Sequence, residues 1–117
     1  MNVIAGASFA YAAGRFTMVL DGIVGPWMLQ HFRYHAPDID VHYVVLRPDR
    51  DITLARAQAR TVPHALVDEQ PIITMWHQFA SMGSYESHVL DTSTDDAHRS
   101  IERAAGVVAS NMFRLNG

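Results

Sequence analysis

The chain has no lysine: all nine basic residues among its 117 are arginine. That excludes the G-x-x-x-x-G-K-[ST] loop, whose lysine and backbone amides grip the phosphates of a nucleotide. Cysteine is missing as well, which removes disulfide frameworks, thiolate catalysis and cysteine-ligated zinc, and suits a reducing compartment. No apolar run approaches the roughly 20 residues that span a bilayer. The opening Met1-Asn2-Val3-Ile4-Ala5-Gly6-Ala7-Ser8 lacks the basic start of a secretory signal. A cytoplasmic protein without a membrane partner is the expectation. Basic excess is absent too: a net charge of −3 offers no stripe for displacing counterions, so nucleic acid is not expected as a partner.

What is present suits a folded domain. With 49% hydrophobic and 18% charged residues, the chain can bury roughly two thirds of its unfolded surface as one domain over residues 1–117. Val3, Ile4, Ala7 and Tyr11 fall on one helical face, and Gly14 supplies a stop. Residues 16–20 form an apolar run of strand length that meets Asp21, Gly22 and Gly25 before Pro26 opens a short helix ending before Pro37. A strand that ends in an acid, two glycines and a helix start is how an α/β nucleotide-handling enzyme reaches its active site.

A second strand is predicted over residues 41–46, followed by Asp49 as N-cap of a helix over about 50–61. Ile72, Met75, Trp76, Phe79 and Met82 then recur at helical spacing up to Gly83. Residues 87–91 read as a third strand, and Ser93 or Thr94 as the cap of a last helix whose buried face is Ile101, Ala105, Val108 and Met112. This alternation predicts an α/β fold: a parallel sheet flanked by helices. The runs Met18-Val19-Leu20 and Val44-Val45-Leu46 are continuously apolar, as in strands covered on both faces. Asp21, Arg47 and Asp91 then leave one carboxyl edge, where ligands of open α/β sheets bind.

Four blocks, in this order and spacing, carry a resemblance: residues 20–27, LDGIVGPW; 41–48, VHYVVLRP; 54–60, LARAQAR; and 85–93, YESHVLDTS. Together they resemble the later part of small P-loop kinases of the AAA-family ATPase group, similar to chloramphenicol phosphotransferase and zeta-toxin-type kinases, over about residues 4–115. The resemblance implies a P-loop NTPase-like fold without the first strand and phosphate loop. It also implies an ATP- and magnesium-dependent phosphotransferase whose partner is a small-molecule acceptor. In such a kinase the missing strand lies between those matching residues 16–20 and 41–46, so its loss leaves unpaired edges prone to self-association.

The same resemblance distributes roles. Asp21 would orient an acceptor hydroxyl or hold magnesium through water, with a turn aspartate as the simpler alternative. Gly22 and Gly25 would let the turn approach the acceptor, and Trp27 would line its pocket or belong to the core. Arg56 and Arg60, four apart on one helical face with Arg47 and Arg50 at its entrance, would stabilise the transferred phosphoryl group or stack on adenine. The alternative for them is a solvated face. Asp91, Thr92 and Ser93 would border the purine. Seven histidines suggest a metal site, yet His31 and His35 have no H-E-x-x-H context, and His42 and His88 suit packed positions. Leu20-Asp21-Gly22 is also similar to the motif of aspartate-nucleophile phosphatases, but Val19 stands where the nucleophile belongs. Two readings remain: a P-loop small-molecule kinase that is inactive as this chain, or a non-catalytic fragment or interaction module with the same ancestry.

Overall fold

The computed structural model describes residues 18–33, 40–61 and 67–115. The chain divides into two compact units, one of Met1–Tyr43 with Arg114–Gly117 and the other Val44–Phe113.

In the first unit, Gly25 is the N-cap and Pro26 the first residue of a 3-10 turn, Pro26–Met28, that runs directly into helix α1, Leu29–Arg33. Proline suits this place because its fixed φ is already helical and its missing N–H would have no partner there. Among its described residues, Leu29, Phe32, Tyr43 and Leu115 are the buried apolar ones. Residues 40–43 meet the C-terminal segment through an isolated antiparallel bridge of His42 with Arg114. The Leu115 amide donates to the Val41 carbonyl at 2.7 Å, and Arg114 pairs with Asp40 at 2.8 Å. The Tyr43 hydroxyl donates to the Val24 carbonyl at 2.6 Å.

The predicted strand over 16–20 is not realised where it can be seen. Phe16 and Thr17 lie outside the described residues, and 18–20 have no ladder partner among the described residues. Val19 is 79% exposed, and Met18 and Leu20 are partly exposed, so this run is not covered on both faces. The predicted helix over 3–13 also lies outside the described residues.

The second unit is α/β. Strand β1, Val45–Leu46, pairs in parallel with β2, Val89–Leu90, in the register Val45 to Val89 and Leu46 to Leu90. The Arg47 amide extends the ladder to the Leu90 carbonyl. Between the strands run helices α2, Arg50–Gln58, and α3, Glu69–Gln78, which pack on each other. A 3-10 helix, Gly83–His88, leads into β2, and helix α4, Ala97–Ala109, comes after it. Val45, Ala57, Ile72, Met82, Leu90 and Phe113 are buried together with the polar Thr92. Trp76 from α3 donates its indole N–H to the Pro48 carbonyl at 2.9 Å, tying that helix to the loop after β1.

Several sequence expectations shift here. Only two of residues 41–46 join the parallel ladder, and among the described residues the sheet has two strands instead of three. Nor is it covered on both faces, because Leu46 is half exposed beside a buried Val45. Ser87 and His88 belong to the 3-10 helix, and α3 ends at Gln78 before the φ of +58° at Gly83 turns the chain. The last helix is capped by Asp96, whose carboxylate accepts the Arg99 amide at 2.8 Å; Ser93 is engaged elsewhere. At its other end Asn111, with φ of +60°, takes the left-handed stop position that asparagine tolerates. The face assigned to burial is exposed: Ile101 at 68%, Val108 at 40% and Met112 at 72%, with Ala105 exposed too. Period alone identified the amphipathic helix but not a partner to cover it.

Candidate functional site

The carboxyl end of the two-stranded sheet gathers most of the residues singled out in the second unit. Parallel pairing makes Arg47 and Asp91 the residues that leave β1 and β2 at the same end. Arg47 is a fork with two kinds of acceptor. Its Nη1 donates to Glu86 Oε1 and to the Phe79 carbonyl, both at 2.7 Å, while Nη2 donates to Glu86 Oε2 at 3.0 Å. Bidentate guanidinium–carboxylate contacts are among the stronger side-chain hydrogen bonds. Glu86 also accepts the Met82 amide at 2.9 Å, so one carboxylate fixes both Arg47 and the start of the 3-10 helix. The guanidinium bond, aided by that amide, pulls the Glu86 pKa from 4.5 down to about 2. Arg47 is correspondingly raised, mainly by its bond to Glu86.

After β2 the chain makes a turn through residues 91–95 in which the carbonyls of Asp91, Thr92, Ser93 and Asp95 all have donors. Asp91 Oδ1 accepts both the Ser93 hydroxyl at 2.6 Å and the Ser93 amide at 2.9 Å. These two bonds, the hydroxyl first, hold the Asp91 carboxyl below the usual carboxylate range. The Ser93 hydroxyl in turn accepts the Asp49 amide at 2.8 Å, at the head of α2. Asp49 is the N-cap residue as expected, but its side chain makes no capping bond. From α2, Arg56 Nη2 reaches the carbonyls of Thr92 at 2.9 Å, Ser93 at 3.3 Å and Asp95 at 2.9 Å. From α4, Arg103 Nη1 donates to the Asp91 carbonyl at 2.6 Å and pairs with the Asp95 carboxylate. Arg60 lies exposed just past the end of α2, away from these contacts in the hydrogen-bond network.

The remaining sequence candidates belong to the first unit and are described within it. Asp21 and Gly22 are exposed. A Cβ added at Gly22 would meet open space, whereas one at buried Gly25 would collide with the indole of Trp27. Gly25 is therefore glycine because Trp27, itself half exposed, folds back over it. Among the described residues no group of three or more His, Asp or Glu is placed to hold a metal ion, and no helix is long and apolar enough to cross a membrane.

The structure thus brings Arg47, Arg56, Asp91, Thr92 and Ser93 to one end of the second unit, and adds Glu86, Asp95 and Arg103, none of which sequence reasoning assigned to a site. Glu86 is 39 residues from Arg47, and no local spacing announces such a pair. Arg103 is eight residues from Asp95, and the register of α4 relative to the turn decides their meeting. The groups present do not fit a triphosphate: there is no lysine, and the Arg47 fork is bonded to a carboxylate and a carbonyl. No protein-family model matches the chain, and a search of curated proteins finds no match.

Proposed function

We propose that this chain retains the strand-end, lid and base-edge segments of a P-loop small-molecule kinase, and that its 117 residues by themselves carry out no phosphoryl transfer. The observation that supports the ancestry is the parallel pairing of Val45–Leu46 with Val89–Leu90, a strand–helix–helix–strand crossover ending in Arg47 and Asp91. Ligands of open α/β sheets bind beyond such strand ends. The proposal of inactivity rests on chemistry: phosphoryl transfer depends on positioned donors around the phosphates, and these residues include no lysine. In this reading Asp21, Gly22, Gly25 and Trp27 are remnants of an acceptor-binding turn, and Asp21 is the residue that would approach a magnesium ion through water.

A coupled assay with magnesium and ATP tests the proposal. No turnover above background is expected; a rate near about 1 per second, the low end for kinases, would overturn it. A second reading, a non-catalytic interaction module, is favoured by one observation. The sheet of the second unit has only two strands of two residues among the described residues, each with an outer edge that no strand covers. A two-stranded sheet is marginal unless it gains a further strand or packs against a helix, and open edges promote association. Sedimentation over a concentration series tests the association itself, since a chain that completes its sheet with another copy shifts to a larger species as concentration rises.

A further inference from the structure

We propose that Arg56 and Arg103 form a guanidinium clamp that holds the turn over residues 91–95, and that this clamp, in place of anion binding, is their function. The inference stands on the geometry of the second unit and does not need the kinase reading. Two helices each contribute one arginine, and between them they take the backbone carbonyls of Asp91, Thr92, Ser93 and Asp95. Carbonyls that converge on one place repel one another unless a donor-rich cation sits among them, and the planar guanidinium satisfies several at once.

Charge in the cluster is balanced internally. Arg103 pairs with the Asp95 carboxylate, and the Asp91 carboxylate beside it, lowered in pKa first by its bonds from Ser93, is lowered further by the charges of Arg103 and Arg47. An incoming phosphate would meet two carboxylates and four inward carbonyls along with the guanidiniums, which is an oxygen-lined and near-neutral surround. The turn is also the joint of its unit. Ser93 Oγ accepts the amide at the head of α2, the Asp95 amide donates to the Thr92 carbonyl at 3.1 Å, and Asp96, next in the chain, caps α4. Holding the turn therefore fixes the starts of two helices relative to β2.

The test is amide hydrogen exchange read together with ligand titration. In Arg56→Ala and Arg56→Lys, exchange at Asp95, Arg99 and Ser100 should accelerate by about tenfold or more, because lysine supplies the charge but not the fork. In the unmutated protein, millimolar inorganic pyrophosphate or magnesium–ATP should leave those rates and the thermal midpoint unchanged. Slower exchange at those amides in the unmutated chain on adding either ligand would overturn the clamp, as would unchanged exchange in either variant. Because the titration uses the unmutated chain, it decides the question even where a variant folds poorly.

Discussion

Met18-Val19-Leu20 and Val44-Val45-Leu46 are nearly the same words in sequence, yet they end in opposite conditions. In the second triplet Val45 is buried and both Val45 and Leu46 are laddered to β2; the first triplet has no ladder partner among the described residues, and Val19 is 79% exposed. An apolar, β-branched run is a statement about what a strand would gain from burial, not about whether a neighbour exists to supply it. The difference lies in the residues next along the chain. Residues 44–46 lead into Arg47, whose amide and guanidinium both find acceptors, whereas residues 18–20 lead into Asp21 and Gly22, both exposed.

The largest expected effect comes from removing the neighbour. Leu90→Ala, which empties a buried position opposite Leu46, should cost about 2–5 kcal/mol in denaturant unfolding followed by circular dichroism. Val19→Ser should change stability by less than about 0.5 kcal/mol, the usual range for an exposed site. A loss at Val19 comparable to that at Leu90 would end the contrast between the two runs.

Between these extremes lies Gly25→Ala. Its new methyl would meet the Trp27 indole, so the ring must move, at a cost of about 1–3 kcal/mol typical of overpacking. A shift in Trp27 emission should accompany that loss. Gly22→Ala, which meets nothing, serves as the neutral companion.

A smaller effect sharpens the second half of the comparison. The folded-state pKa of Glu86 is depressed from 4.5 to about 2, so its contribution to stability is complete above about pH 4.5 and disappears as pH falls towards 2. Thermal midpoints measured across that window should fall in the parent and fall less in Glu86→Gln, which starts lower at neutral pH. Equal slopes would mean that the Arg47 fork does not depend on the Glu86 charge.

The sequence carried the class of the second unit because its signals are local. Asp49 before α2, the spacing of Ile72, Met75 and Trp76, and the cap-type residues Ser93 and Thr94 before α4 each describe a few neighbouring residues, and the elements appear within a few positions of where those signals put them. The site was legible only in its local members. Asp91, Thr92 and Ser93 come after a strand and stand out as a turn, but their partners Arg56 and Arg103 arrive from helices whose packing no short window encodes. Ser93 illustrates the limit: it is a good helix cap by type, yet its hydroxyl is used by Asp91 and Asp49, and Asp96 takes the cap three residues later. The face of α4 failed for the opposite reason, since amphipathic period specifies a side to bury without specifying anything to bury it against.

The chain has two tryptophans, and each unit holds one of them. Trp27 lies folded over Gly25 and half in water, while the indole N–H of Trp76 is anchored on the Pro48 carbonyl. Nature has thereby labelled the two units with separate fluorophores. Trp76→Phe leaves an optical signal from the first unit alone and Trp27→Phe one from the second, so a single pair of variants reads out whether they melt together or one before the other.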